Sequence, residues 1–251
     1  MNILDKIIDT KKRKLTSKKS ELSLKEIISK IETISPTKGS FKASLLEKEE
    51  AIIAEIKKAS PSAGIISENF DPISKAKEFE AKGASALSIL TEEDYFLGSI
   101  QYLKDVKSIS NLPILRKDFI IDEYQIYESR LVGADCILLI ASVLNDEMLK
   151  KFTELADSLE LDYIIEVHDM DELSRIKNFS KAIIGVNNRD LKTFNVDINN
   201  SINLRKNFHG DNIFVSESGI KSKKDIEMLK ENNINVFLIG ESMMKGDFFE
   251  A

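Results

Sequence analysis

The chain reads as a TIM (β/α)8 barrel preceded by helices, and three observations lead there. Short apolar runs recur from residue 51 onward, centred near Ile53, Leu87, Leu115, Leu138, Ile164, Ile184, Val215 and Leu238. A helical pattern follows each run except the last. The runs are nearly continuous in apolar character, as parallel strands buried on both faces require. Eight such units in about 200 residues fit a barrel. The competing arrangement is an open doubly wound sheet, because periodicity alone does not fix strand order.

Residues 1–48 show helical stripes and no strand pattern. Ile3, Leu4, Ile7 and Ile8 form one stripe, and Leu24, Ile27, Ile28 and Ile31 another. We expect a helical extension docked on a barrel of residues 49–251. No Gly-, Ser- or Pro-rich linker divides the chain, so residues 1–251 are expected to form a single domain. Helices are predicted within 71–83, ending on Gly83, within 98–110 ahead of Pro113, and within 122–133, ending on Gly133. A further helix, over 145–160, opens on an Asn145 cap. Three more fall within 169–178, 198–207 and 222–233. After the eighth run only "ESMMKGDFFEA" follows, shorter than a full helix. The barrel is therefore expected to close with a shortened C-terminal helix, unless the N-terminal segment or a neighbour covers the gap.

Composition excludes several classes. The chain has 251 residues, a net charge of -6 and 42% apolar residues. That acidic balance argues against nucleic-acid and membrane-surface partners. The N-terminus places apolar residues before basic ones and lacks a cleavage site, so it is no secretory signal. No apolar run reaches the roughly 20 residues of a membrane span. With one cysteine there is no internal disulfide framework, and a cytoplasmic enzyme is expected. Two histidines and one cysteine make no credible His/Cys metal site. Neither a dinucleotide fingerprint nor a P-loop is present. Cys136 is read as core and His168 as a rim or supporting residue.

Charged residues gather where the strands end. Glu55 and Lys57 close the first run, Lys117 the third, Glu166 the fifth, Asn187 and Arg189 the sixth, and Glu217 the seventh. Residues two apart on a strand face the same way, so Lys117 follows Leu115 inward, Glu166 follows Ile164 and Glu217 follows Val215. The C-terminal end of such a barrel carries the active site. Converging, partly buried charges are costly unless paired or used. After the seventh run "SESGI" supplies Ser218 and Gly219, and after the eighth "LIGES" supplies Gly240, Glu241 and Ser242. Small residues there let backbone N–H groups approach an anion, which is the usual phosphate position of such barrels.

The segments "AEIKKASPSAG", "SILTEEDYFLGS", "ILRKDFIIDEYQIYESRLVGADCILLI", "IIEVHDMDEL", "IIGVNNRDLKTF", "VSESGI" and "FLIGESMM" carry a resemblance. In order and spacing the chain resembles the indole-3-glycerol phosphate synthases, from "ILDKIIDTKKRKL" to about Met244. The resemblance implies a metal-free, cofactor-free TIM-barrel lyase of tryptophan biosynthesis. It would convert 1-(2-carboxyphenylamino)-1-deoxyribulose 5-phosphate into indole-3-glycerol phosphate, CO2 and water. It implies Lys117 as general acid for ring closure and Glu166 as the second acid/base group, with Glu55 and Lys57 completing the set. Asn187, Glu217 and Ser218 would position substrate. Gly219, Gly240 and Glu241 would hold the phosphate with help from Lys57. Pro61, Phe96, Phe119, Leu138, Leu191 and Ile239 would wall the aromatic ring, and Ser60 and Arg189 would also touch substrate. Glu241 stands where a small serine is often found, which a backbone donor tolerates. The expected partner is the phosphosugar alone, with the chain a monomer or at most a weak homodimer. Two other readings remain at this stage. A phosphoribosylanthranilate isomerase would carry a cysteine on the first strand, where Glu55-Ile56-Lys57 stands instead. A non-catalytic phosphate-binding barrel would not need the charge cluster.

Overall fold

The computed structural model describes residues 2–34, 40–190, 193–246 and 248. Eight parallel strands close a barrel: β1 (Ala51–Ile56), β4 (Ala86–Leu90), β5 (Ile114–Lys117), β6 (Cys136–Ile140), β7 (Asp162–Val167), β8 (Ile183–Asn187), β9 (Phe214–Glu217) and β10 (Val236–Ile239). β10 pairs back onto β1, with Ile53 opposite Leu238, and this closure rules out the open sheet. β2 (Ala59–Ser60) and β3 (Gly64–Ile65) form a short antiparallel hairpin in the loop after β1. The outer helices are α4 (Pro72–Ala81), α5 (Ile100–Lys107), α6 (Glu123–Leu131), α7 (Asp146–Ser158), α8 (Met170–Ile176), α9 (Asn199–Lys206), α10 (Lys223–Lys230) and α11 (Glu241–Lys245). Asn145 caps α7 as predicted, its side chain accepting from the Met148 N–H at 2.8 Å.

Alternation along the strands splits the core in two. Ile53, Leu115, Leu138, Ile164, Val215 and Leu238 fill the barrel interior, with Cys136 buried among them. Ala54, Ile56, Leu87, Ile137, Ile165, Val186 and Ile239 face the helices. The interior is sealed at its N-terminal end by α3 (Ser40–Leu46), whose Phe41 and Leu45 are buried in the same cluster. The Lys42 N–H donates to Asp162 Oδ2 at 2.8 Å and ties this plug to the start of β7.

The rest of the extension docks as amphipathic helices should. α2 (Leu24–Ile31) packs Leu24, Ile27 and Ile31 against Tyr124, Tyr127 and Leu131 of α6, while Ile28 of the predicted stripe is exposed. α1 (Ile3–Glu21) runs along the C-terminal side of the barrel, where Ile3, Leu4 and Ile7 reach the mouth. α11 itself packs against β1 and buries Met243 and Met244, with Phe248 beyond it. No helix among the described residues is long and apolar enough to cross a membrane.

Candidate active site

The inward parity predicted for the strand ends holds. Glu55, Lys117, Glu166 and Glu217 lie two residues beyond interior positions and converge in a cavity of about 740 Å3 at the C-terminal mouth. The three carboxylates are 5%, 3% and 1% exposed for Glu55, Glu166 and Glu217, so water does little to solvate them. Cations inside the mouth take that role. Lys57 Nζ sits 2.6 Å from Glu55 Oε1. Lys117 Nζ is shared, 3.1 Å from Glu166 Oε2 and hydrogen-bonded to Glu217 Oε2.

Gly185 on β8 makes this crowding possible. A Cβ there would fall on Glu217 Oε1, far inside van der Waals contact, and 2.7 Å from Ile164 Cγ2. A glycine in a strand often marks such a close approach.

Two carboxylates share one ammonium but sit in different fields. Burial pushes both toward the neutral acid. For Glu166 that push is overcome by Lys117 and His168, which hold it well below the usual carboxylate range. For Glu217 burial prevails, with the Glu166 charge adding to it, and its pKa is pushed up to about 7 despite Lys117. Its Oε1 finds no hydrogen-bond partner among the described residues. Burial works against the Lys117 charge, but Glu217, Glu166 and Glu55 together hold it protonated above the ordinary lysine range. The two carboxyls are thus driven in opposite directions, Glu166 toward the ionised form and Glu217 toward the neutral acid.

His168 supports Glu166 from the side. Its Nε2 lies 3.3 Å from Glu166 Oε1, outside hydrogen-bonding geometry, and its Nδ1 is 3.1 Å from Glu172 Oε2. Burial disfavours its charge, yet the two carboxylates raise its pKa to about 10. Asn187 donates from Nδ2 to Glu166 Oε1 at 3.3 Å and accepts the Arg189 N–H on Oδ1 at 3.0 Å.

On one side of these charges lies an aromatic pocket. The Phe96 and Phe119 rings stand 6.1 Å apart at 41°. Ser60, Pro61 and Leu138 border the same cavity. Ile239 borders it too, but its side chain packs in the outer layer, and the neighbouring Leu238 is the one that faces inward. Strand parity sends alternate residues to opposite faces, so Ile239 meets the cavity from the end of β10. Leu191 lies outside the described residues.

Elsewhere in the mouth, Ser218 and Gly219 follow β9 with φ of 68° and 85°. Successive residues of this kind turn the backbone sharply, and a Cβ on Gly219 would also strike Val196. Gly240 and Glu241 open α11, whose first N–H groups have no acceptor within the helix. The Ser242 hydroxyl donates to the Ile220 carbonyl at 3.0 Å and fastens these two loops together. The Glu241 carboxylate pairs at 2.7 Å with Lys245 of its own helix. Lys57, Arg189, Lys221 and Lys245 line the same mouth.

Several lining residues escape sequence reasoning: Ile3, Leu4 and Ile7 of α1, Leu90, Ile140, Phe194, Val196 and Lys221. The apolar stripe of α1 was visible, but nothing in it says what it covers.

The sequence model of the indole-3-glycerol phosphate synthase family matches residues 4–250. The indole-3-glycerol phosphate synthase of Ruminiclostridium cellulolyticum is 49% identical over 246 residues, covering 97% of this chain and 94% of its own length. That of Endomicrobium trichonymphae is likewise 49% identical, with 97% and 95% covered. Among solved structures, the tryptophan synthase alpha subunit of Legionella pneumophila aligns with a TM-score of 0.59 at 10% identity, over 81% of this chain and 87% of that one. A phosphoribosylanthranilate isomerase from Thermotoga maritima aligns with a TM-score of 0.54 at 11% identity, over 77% and 88%. At such identity these two speak for the barrel fold alone.

Proposed function

The chain belongs to the indole-3-glycerol phosphate synthase family, a carbon–carbon lyase of tryptophan biosynthesis, and on that premise we propose how its mouth carries out the reaction. The substrate is 1-(2-carboxyphenylamino)-1-deoxyribulose 5-phosphate. Its aryl ring lies between Phe96 and Phe119, near Pro61 and Leu138. Its phosphate rests on the N–H groups of Gly219, Gly240 and Glu241, with Lys57 at hand. Ser60 and Arg189 contact the chain between, and Asn187, Glu217 and Ser218 hold its hydroxyls.

Lys117 gives its proton to the ketone oxygen as the ring carbon bearing the carboxylate attacks the ketone carbon. A C–C bond forms, the oxygen becomes a hydroxyl, and the ring nitrogen is left as an iminium. The C–CO2 bond then breaks, its electron pair returns to the ring system, and CO2 leaves. In dehydration one group protonates the departing hydroxyl and another takes the proton from the adjacent carbon. Glu166, Lys57 and Glu55 share these two roles. The buried carboxylates also stabilise the cationic intermediate as it forms.

The observation that carries this reading is Lys117, shared between an ionised Glu166 and a Glu217 whose pKa is raised, in a mouth that also holds an aromatic pocket and small-residue turns. The isomerase reading lacks the cysteine it expects on the first strand. Cys136 is the chain's single cysteine and is fully buried on β6, and burial holds its thiol well above its usual range. The test is to add the substrate to purified protein without added metal and follow indole fluorescence. Indole formation is the expected result; its absence, or its dependence on an added metal, contradicts the scheme.

A further inference from the structure

α1 places Ile3, Ile7, Lys11 and Lys14 at spacings that share one helix face. The apolar pair of that face reaches the mouth. The two lysines grip two different barrel loops. Lys11 Nζ lies 2.7 Å from Asp118 Oδ1, with the Asp118 side chain 2% exposed. Lys14 Nζ lies 2.9 Å from Glu93 Oε2 and 2.7 Å from Asp94 Oδ2.

Each gripped loop carries one ring of the aromatic pocket, and each ring hangs from a backbone N–H held by a buried carboxylate. Asp118 Oδ1, the oxygen that Lys11 touches, accepts the Phe119 N–H at 2.8 Å. Its Oδ2 accepts from Thr91 at 2.8 Å and from Arg116 at 3.1 Å. In the other loop, Glu92 is 1% exposed and its Oε2 accepts the N–H groups of Tyr95 and Phe96 at 2.7 and 3.0 Å.

Arg116, on β5 and two residues before Asp118, also offers that carboxylate a buried cation. Arg116 divides its charge with Glu128 at 2.8 Å, and against the push of burial Lys11 and Arg116 together hold the Asp118 carboxyl well below the usual carboxylate range. Beyond its charge, Lys11 ties Asp118 to a distant segment that also roofs the mouth.

We propose that α1 is a strut for the aromatic pocket, in which Lys11 and Asp118 are positioning residues that hold Phe119 against Phe96 while Lys14 steadies the opposite loop. This rests on the functional reading above, since the ring held there is the substrate's aryl group. The strut acts at the aryl end of the substrate and leaves the phosphate end untouched.

The experiment uses the full chain and the substrate reduced to the alcohol at its ketone, which binds without reacting. The chain contains no tryptophan, so the aryl fluorescence of this analogue is read directly. Lys11→Met is expected to weaken analogue binding about tenfold, close to a loss of 1.4 kcal/mol. Competition by inorganic phosphate is expected to stay within about twofold, and Lys11→Arg, which keeps the cation, to recover affinity to within about threefold. Unchanged analogue binding in Lys11→Met, equal loss of analogue and phosphate, or no recovery in Lys11→Arg overturns the strut. Should Lys11→Met fail to melt cooperatively, Lys14→Met carries the same test, because its partners lie in a part-exposed loop. There too, weaker analogue binding with unchanged phosphate competition supports the strut, and unchanged analogue binding overturns it. Wild-type protein that neither turns over the substrate nor binds the analogue refutes the functional reading, and the strut with it. Turnover by the wild type with an indifferent Lys11→Met refutes the strut alone.

Discussion

The two ends of the barrel are made by the same strands and do opposite work. At the N-terminal end Ala51, Ile53, Ile183 and Val236 pack against Phe41 and Leu45 in an apolar cluster, with the Asp162 carboxylate at its edge. At the C-terminal end, Glu55, Lys117, Glu166 and Glu217 occupy the same inward face a few residues further along. The first end gains stability by excluding water from apolar surface. The second holds buried carboxylates in place through Lys57, Lys117 and His168. The lesson is that a barrel interior pairs a floor that stabilises with a mouth that spends stability on charge.

If the ends divide labour in this way, substitutions should sort by position. Phe41→Ala at the floor is expected to cost about 3–5 kcal/mol of unfolding free energy, by loss of burial and creation of a cavity. Denaturant unfolding measures the loss, and kcat of the folded enzyme should stay near wild type. A large fall in kcat with little change in stability would break the division. Gly185→Ala tests the border between the ends, because its Cβ would overlap Glu217 Oε1. Overpacking of this kind is expected to cost about 1–3 kcal/mol, and kcat should fall with it since Glu217 must move.

The mouth should also show in how stability depends on pH. The Glu217 pKa is raised to about 7 in the folded protein. Its stabilising contribution is therefore complete below the unfolded value near 4.5 and is lost as pH rises to about 7. Glu217→Gln should remove that loss, so wild-type and variant melting temperatures should draw apart across this window. His168, raised to about 10, stabilises fully below about 6.5 and loses that contribution as pH rises toward 10. The advantage of wild type over His168→Asn in melting temperature should shrink over that range.

Much of the mouth was legible because strand parity is local. Once Leu115 was read as interior, Lys117 had to face the same way. The same rule, applied to the last strand, adds Leu238 to the inner wall beside Ile239. Other features were hidden because they depend on contacts between distant segments. Nothing near Lys11 shows that its partner is Asp118, and nothing near Gly185 shows that the Glu217 carboxyl comes to rest against it. The floor was hidden for a different reason. α3 spans seven residues, too few for a periodic pattern to declare which way Phe41 and Leu45 point.

The central claim is that the Lys117 ammonium, held charged by Glu217, Glu166 and Glu55, delivers the proton that starts ring closure. The direct measurement compares turnover of Lys117→Ala with its affinity for the ketone-reduced substrate. Loss of a positioned acid is expected to lower kcat about a hundredfold or more, while analogue binding stays within about threefold and the protein still unfolds cooperatively. A Lys117→Ala variant that forms indole-3-glycerol phosphate at a near-normal rate would contradict the account.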